Sequence, residues 1–229
     1  MKATDWEFKY RALVFGLIFA FAFQMYAVDR QNATAVLATW MGADIHLLFG
    51  FAALLVLVAA FVRTWASSYL HAGVVYAAEL KSAALVADGP YRQVRNPLYF
   101  ANVLLAAGMG AMACRTGFVV AVVLMLVFCY RLILREESEL QASQSQQYEA
   151  YRRAVPRLWP SLQPRVASSG QRAQWIEGFK AESWYWGFAV ALVAFALTLN
   201  TTLALVILGA SMVLFWVSST VLRKKSAPL

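Results

Sequence analysis

Two polar clusters interrupt an otherwise apolar sequence, and their residue types suit a small ligand that carries both signs of charge. The first is the stretch DGPYRQVRNPLYFANVLL at 88–105, in which an Arg-Asn-Pro step directly precedes an apolar run. The second is the adjacent pair Glu136 and Glu137, which follows another apolar run. Adjacent acids at the edge of an apolar segment are costly unless they are paired or bound to something. The two clusters are therefore the first candidates for a binding site.

The Asn96-Pro97 step in the first cluster is a helix-start signal, because asparagine can cap a free backbone N–H and proline is preset for the first helical position. The free N–H groups and the dipole at such a helix end favour an anion. Arg95 lies within one turn of this end, and Tyr91 and Tyr99 flank it with aromatic rings. Simple anchoring of a helix at a membrane surface would also select these residue types, so this stretch alone leaves both interpretations open.

The elements around these clusters are predicted to be membrane-spanning helices. Of 229 residues, 61% are hydrophobic and 14% are charged, a balance that a water-soluble domain could not cover with polar surface. Several segments approach the roughly 20 apolar residues that a helix needs to cross a bilayer. We expect an all-α integral membrane protein with about six transmembrane helices and cytoplasmic interfacial helices that form a ligand pocket. The predicted spans are 12–28, 43–62, 98–113, 117–134, 184–199 and 203–222.

The distribution of Lys and Arg predicts the orientation, because positive residues in short loops stay on the cytoplasmic side. They concentrate in 2–11, 63–95, 131–180 and 223–225, which places both termini in the cytoplasm. The net charge of +8 is spread beside membrane spans, which favours anionic lipids as partners over nucleic acid. The two cysteines lack the spacing of a metal site, so no metal is expected. We expect a multi-pass protein of a bacterial inner membrane.

The predicted spans at 98–113 and 117–134 are joined by a short turn at Arg115-Thr116, so they must be antiparallel neighbours. The start of one then lies beside the end of the other, and Arg95 can face Glu136 or Glu137. The alternative is a salt bridge that only tethers the two helices.

The rest of the chain divides around this central unit. Segment 63–89 mixes aromatic and polar residues, as expected at the cytoplasmic interface, and 135–153 reads as a polar helix that ends at Val155-Pro156. Segment 157–183 reads as a connector, and the last hairpin is predicted to turn at Asn200. The predicted domains are 1–62, an N-terminal hairpin; 63–165, the central core; and 166–229, the connector with the C-terminal hairpin.

At these residues the sequence resembles the isoprenylcysteine carboxyl methyltransferase family of integral membrane enzymes, which is akin to the phospholipid methyltransferases. The family pattern runs Leu-Val-x-x-Gly-Pro-Tyr-x-x-x-Arg-His-Pro-x-Tyr-x-Gly, then a span, then Glu-Glu-x-x-Leu, Tyr-x-x-Tyr and Val-x-Arg-x-x-Pro. Ala101 stands where the last glycine of the first part is usual. The match covers about eighty residues in the correct order. It consists of Leu85, Val86, Gly89, Pro90, Tyr91, Arg95, Asn96, Pro97, Tyr99, Glu136, Glu137, Leu140, Tyr148, Tyr151, Val155, Arg157 and Pro160.

The resemblance implies a cofactor, S-adenosylmethionine, which is released as S-adenosylhomocysteine. The cofactor-binding residues that it implies are Leu85, Val86, Tyr91, Arg95, Asn96, Pro97, Tyr99 and Glu136. Asn96 stands where the family usually has histidine, which argues against a proton relay at this position. Arg131 and Arg135 are the nearest replacements for the family's substrate-contacting arginine, and Glu137 is a further catalytic candidate.

The function expected from this resemblance is methyl transfer from S-adenosylmethionine to a lipid or prenylated acceptor. A carboxylate acceptor needs an arginine to hold it, whereas an amine acceptor must lose a proton, with Glu137 or Tyr148 as the base. One alternative is a phospholipid N-methyltransferase of the phosphatidylethanolamine type. Another is a non-catalytic membrane protein that binds a lipid headgroup.

Overall fold

The structure is a computed structural model that describes residues 1–70 and 86–225, and it confirms the all-helical class. Leu85 and most of the predicted interfacial segment 63–89 lie outside the described residues. Short 3-10 turns at Met25–Ala27 and Gly89–Arg92 accompany the α-helices. The α-helices are α1 Asp5–Lys9, α2 Arg11–Gln24, α3 Ala33–Met41, α4 Ile45–Ser67, α5 Pro97–Gly110, α6 Arg115–Ala154, α7 Trp175–Thr198 and α8 Thr201–Lys225.

Among the described residues, three helices are long and apolar enough to cross a membrane: α4, the 115–143 part of α6, and α7. Shorter apolar helices cover Arg11–Ala27, Pro97–Gly110 and Thr201–Val217. These six segments coincide with the six predicted spans, and the number that cross the bilayer stays a prediction.

Helix α6 is a single element of 40 residues, roughly 60 Å long at 1.5 Å per residue. No glycine or proline interrupts it after Gly117, so the apolar half passes without a break into the polar half. The helix ends where Val155 is extended before Pro156, as the sequence predicts. One rigid element therefore carries the Glu136-Glu137 pair and the tyrosines beyond it.

Three elements differ from the prediction. Helix α3 lies in a predicted loop, where Asn32 accepts a hydrogen bond from the Ala35 N–H and Gly42 ends the helix with a positive φ. Helix α7 begins inside the predicted connector, at Trp175, because Gln174 is tied by its N–H to the Ser68 carbonyl. The turn between α5 and α6 occupies 111–114, just before the predicted Arg115.

Helix α5 lies between the two halves of the bundle. One side packs on α4, which in turn packs on α7, and the other side packs on α6, which also contacts α2. Close backbone approach holds α7 on α4, because a Cβ at Gly178 would come within 2.6 Å of the Thr64 carbonyl oxygen. It likewise holds α5 on α4, because a Cβ at Gly108 would come within 2.7 Å of the Ala52 carbonyl oxygen. Helix α5 is thereby packed between α4 and α6.

Candidate cofactor site

The start of α5 and the middle of α6 meet at an ion pair between Arg95 and Glu137. Arg95 Nη1 lies 3.1 Å from Glu137 Oε1, and the two side chains are 9% and 8% exposed. Asn96 donates from Nδ2 to the same carboxylate oxygen at 3.2 Å. The prediction that the basic and acidic helix ends meet is therefore confirmed for this pair.

The segment after α6 folds back over this ion pair and completes the cluster. The Arg95 N–H donates to the Pro156 carbonyl, and Asn96 Nδ2 donates to the Arg157 carbonyl at 3.0 Å. The Arg157 guanidinium holds Glu137 Oε2 at 3.0 Å. Two guanidinium groups thus share one carboxylate, and the cluster carries a net positive charge.

Three buried polar atoms at this position lack a hydrogen-bond partner of good geometry: Arg95 Nε, Arg95 Nη1 and the Tyr148 hydroxyl oxygen. Tyr148 is 1% exposed and lies beside Arg95 and Glu137. Burial raises the pKa of the Tyr148 hydroxyl, which therefore stays protonated at neutral pH and can donate. An unpaired buried donor is costly, so these atoms fit a ligand that brings acceptor oxygens. We call Arg95, Asn96, Glu137, Tyr148 and Arg157 the open cluster.

Asn96 holds its place by a different contact from the one predicted. Its side chain makes no cap hydrogen bond to α5, because the amide is turned to Glu137 and to the segment after α6. Pro97 does occupy the first helical position and is fully buried. The N-terminal N–H groups of α5 therefore receive no side-chain cap from Asn96, and the positive end of the helix dipole lies next to Arg95.

Glu136 points to a different neighbour from Glu137. Its Oε1 accepts a hydrogen bond of 2.6 Å from the Tyr99 hydroxyl. Tyr99 is buried in an apolar cluster with Phe8, Met125 and Phe128. Consecutive helical residues are about 100° apart, so the two acids serve two different sides of α6.

The two candidate substrate arginines are engaged by acidic residues of the N-terminal segment. Arg131 Nη2 lies 2.7 Å from Glu7 Oε2, and Arg135 Nη1 lies 2.7 Å from Asp5 Oδ1. Arg135 also pairs with Glu139 along α6 at 2.9 Å. Both arginines therefore face α1, whereas Arg95 faces the segment after α6.

The loop before α5 is fastened through backbone and carboxylate contacts. The Tyr151 hydroxyl donates to the Tyr91 carbonyl at 2.8 Å, and Val86 is half-buried at the start of this described stretch. Asp88 accepts hydrogen bonds from Ser168, from Ser169 and from the Gln171 N–H. These bonds lower the pKa of the buried Asp88 carboxyl from 3.8 to about 2.

A second buried arginine–carboxylate pair joins α4 to α7, and the sequence did not predict it. Arg63 on α4 donates through Nε and Nη2 to Glu182 on α7, at 2.5 and 3.0 Å. Its Nη1 donates to Asn102 on α5 at 2.9 Å, and Tyr185 donates to the same Asn102 oxygen at 2.5 Å. Ser67 adds a hydrogen bond of 2.7 Å to Glu182. We call Arg63, Ser67, Asn102, Glu182 and Tyr185 the closed cluster.

The only sequence signal for this second cluster was one arginine and one glutamate near the ends of two apolar runs. Arg63 and Glu182 are 119 positions apart, and Glu182 fell in the predicted connector. Their pairing could be found only once α7 was seen to begin at Trp175.

Among the described residues, no group of three or more His, Cys, Asp or Glu side chains could hold a metal ion. The arrangement combines guanidinium, carboxylate, amide and phenol groups instead.

Comparison with known proteins relates the central part of the chain to methyltransferases. Residues 47–146 match the family described as Phospholipid methyltransferase. This segment includes the start of α5, the ion pair of Arg95 with Glu137, and most of α4. No solved structure matches the chain.

Two similar proteins are named for metal resistance. The chain is 29% identical over 127 residues to the cobalt-zinc-cadmium resistance protein CzcN of Cupriavidus metallidurans, a match that covers 54% of this chain and 58% of that protein. It is 33% identical over 90 residues to the nickel-cobalt-cadmium resistance protein NccN of Alcaligenes xylosoxydans xylosoxydans, covering 38% of this chain and 41% of that protein. The matches thus span about half the length of these relatives.

The apolar helices and the family match agree with each other and with the resemblance found in the motifs. Segment 47–146 of this chain is therefore similar to the phospholipid methyltransferases, a family of membrane methyltransferases.

Proposed function

We propose that the chain is an S-adenosylmethionine-dependent methyltransferase that acts on a lipophilic acceptor, in the manner of the isoprenylcysteine carboxyl methyltransferases. The observation that carries the proposal is that the buried Arg95 Nε and the buried Tyr148 hydroxyl make no hydrogen bond, although Arg95 Nη1 is ion-paired with Glu137. They lie in a cluster of net positive charge at the start of a helix, inside the segment that matches the family. These donors fit the α-carboxylate of the cofactor, which brings two acceptor oxygens.

The remaining cofactor residues are assigned from the sequence motif. Glu136 with Tyr99 offers a carboxylate and an aromatic face for the ammonium and sulfonium groups, on the side of α6 next to that of Glu137. Leu85, Val86, Tyr91 and Pro97 are assigned to the same site by their places in that motif. Glu137 then orients Arg95 and Asn96, because its two oxygens are already held by their side chains and by Arg157.

Positioning is the main task that this mechanism leaves to the protein. The cofactor supplies an activated methyl group, so the transfer needs alignment and exclusion of water more than acid–base chemistry. The segment after α6 excludes water over Arg95 through the contacts of Pro156 and Arg157. Arg131 and Arg135 hold an acceptor carboxylate in this proposal, and their present partners Glu7 and Asp5 mark where such a carboxylate would lie.

The test is a methyl-transfer screen with labelled S-adenosylmethionine and purified protein in lipid. A prenylated thiol-carboxylate and phosphatidylethanolamine are offered in parallel, and we expect label on the prenylated carboxylate. Arg95→Ala should lose the activity. Arg153→Ala removes the same charge from an exposed position on α6 and should keep it.

Label on phosphatidylethanolamine would instead establish the second candidate, a phospholipid N-methyltransferase, which the name of the matched family favours. An amine acceptor must lose a proton, which would require a base near Tyr148 or Glu137. If no methyl group is transferred to any lipid extract and S-adenosylmethionine does not bind, the remaining hypothesis is a non-catalytic protein that binds a lipid headgroup.

The topology and division of the chain belong to the same proposal. Both termini and the open cluster lie on the cytoplasmic side of a bacterial inner membrane, and 63–165 forms the methyltransferase core between two terminal units. Labelling of single cysteines introduced at Lys2 and at Asn200 with an impermeant reagent tests this. Only the second should react from outside intact cells.

A further inference from the structure

We infer that Glu182 is a positioning residue for the cofactor site, which makes α7 a working part of the methyltransferase. This inference rests on the proposed function. Glu182 lies outside the segment 47–146 that matches the family, and its side chain is completely buried.

Glu182 fixes the orientation of Arg63. The Arg63 guanidinium donates two hydrogen bonds to the Glu182 carboxylate, through Nε and Nη2, and Ser67 donates a third. The Arg63 guanidinium also lies 4.2 Å from the centre of the Tyr185 ring. The arginine is thereby held in one orientation by groups on α4 and α7.

The remaining nitrogen of the Arg63 guanidinium, Nη1, contacts α5. Nη1 donates to Asn102 and approaches the carbonyl of Leu98 at 3.5 Å. Leu98 lies in the first turn of α5, three positions after Arg95. Tyr185 also donates to Asn102, so α7 contacts α5 both directly and through Arg63.

The position of α5 also determines its contact with α6. Helix α5, which carries Asn102, packs against α6 on its other side. The closed cluster therefore sets the position of α5 against α4 and α7, and through α5 its position against α6. Because Arg95 and Asn96 lie within seven positions of Asn102, a shift of α5 would displace these two donors of the open cluster.

The variant that separates positioning from stability is the double substitution Arg63→Met with Glu182→Leu. Removing both charges leaves no unpaired buried ion, and such replacements are often neutral for stability. The carbonyl of Leu98 and the Asn102 side chain nevertheless lose the Arg63 guanidinium. Asn102 keeps the hydrogen bond from Tyr185. Glu182→Gln tests the single residue, and Tyr185→Phe removes one donor to Asn102 with little change in volume.

The measurements are the dissociation constant for S-adenosylhomocysteine by isothermal titration, the KM and kcat of methyl transfer, and the melting temperature. We expect the double variant to melt within a few degrees of the wild type but to bind about tenfold more weakly, with Tyr185→Phe showing a smaller loss. Glu177→Gln, an exposed change on the same helix, should alter neither quantity.

A double variant that regains both wild-type melting and wild-type affinity would overturn the inference, because Glu182 would then serve stability alone. If that variant does not fold, Tyr185→Phe decides: unchanged affinity at unchanged melting temperature overturns the inference, and weakened affinity supports it. A wild type that binds no cofactor would instead refute the proposed function.

Discussion

The open and the closed cluster are built from the same groups, an arginine, a glutamate and an asparagine, yet they differ in how completely those groups are paired. In the closed cluster Glu182 accepts three hydrogen bonds, and none of the described side-chain atoms of the cluster is among the buried atoms left without a partner. In the open cluster Arg95 Nε and the Tyr148 hydroxyl are buried and make no hydrogen bond, and Arg95 Nη1 is held only by the ion pair with Glu137. A saturated network suits holding helices together, whereas an unsaturated one suits holding a ligand.

The two clusters also differ in net charge, because the closed cluster is neutral and the open cluster is positive. Arg63 and Glu182 neutralise each other inside the bundle, as expected for a pair that need not open. Glu137 is shared by Arg95 and Arg157, which leaves the open cluster positive. Substitutions in the two clusters should therefore act on different measurable quantities.

The largest expected effect is on stability, in the closed cluster. Arg63→Met alone leaves Glu182 buried without its cation, which should cost about 3–5 kcal/mol of unfolding free energy. Denaturant unfolding in detergent micelles measures it, with Glu177→Gln as the control on α7. A loss below 1 kcal/mol would mean that Glu182 is not held mainly by Arg63.

The next effect is on binding, in the open cluster. Arg95→Met removes the donors proposed for the cofactor carboxylate, and a charge-assisted hydrogen bond contributes about 1.5–3 kcal/mol. We therefore expect affinity for S-adenosylhomocysteine to fall about 10- to 150-fold. The melting temperature of the variant without ligand should change less than that of Arg63→Met. Arg153→Met is the matched control.

A third substitution, at the turn between α5 and α6, tests whether that end of the bundle affects cofactor binding. Asn32 Nδ2 lies 3.1–3.3 Å from the carbonyl oxygens of Ala111, Met112 and Ala113, which end the turn between α5 and α6. Asn32→Ala should lower stability by about 1–3 kcal/mol by leaving these carbonyls with fewer donors. Cofactor affinity measured by titration should stay at the wild-type value. A parallel loss of affinity would show that the two ends are coupled.

The smallest effect is a pH dependence at the loop before α5. The pKa of Asp88 falls from 3.8 to about 2 on folding, because Ser168 and Ser169 donate to the carboxylate. Its contribution is therefore fully present above the unfolded value of 3.8 and is lost as the pH falls through about 2. Unfolding measured from pH 6 to pH 2 should show a shallower decline for Asp88→Asn than for the wild type. The same decline of stability with falling pH in both proteins would show that Asp88 does not contribute to it. Asp5→Asn, at an exposed position, is the control.

The sequence predicts the meeting of Arg95 with an acid, because a short turn forces α5 and α6 to run antiparallel. It also predicts the length of α6, since no glycine or proline breaks the helix before Pro156. It could not choose between Glu136 and Glu137, because their difference is a rotation of about 100° around α6 that depends on packing against α2 and α5.

Other features depend on contacts between distant residues and left no local signal. The Asn96 side chain was expected to cap α5, and it turns to Glu137 because that carboxylate lies within reach in three dimensions. The ion pairs of Arg131 and Arg135 with α1 likewise join residues more than a hundred positions apart. Helix α3, in contrast, has local signals in its Asn32 cap and in Gly42, but its nine residues lie where the sequence predicts a loop between two apolar runs.

The most direct test of the central claim compares two ligands and two proteins by isothermal titration. S-adenosylmethionine and its decarboxylated analogue, which lacks only the α-carboxylate, are titrated into the wild type and into Arg95→Met. If the open cluster binds that carboxylate, the analogue binds the wild type about tenfold more weakly than the intact cofactor, and the difference disappears in Arg95→Met. Equal binding of both ligands to the wild type, or the same difference in both proteins, would contradict the account.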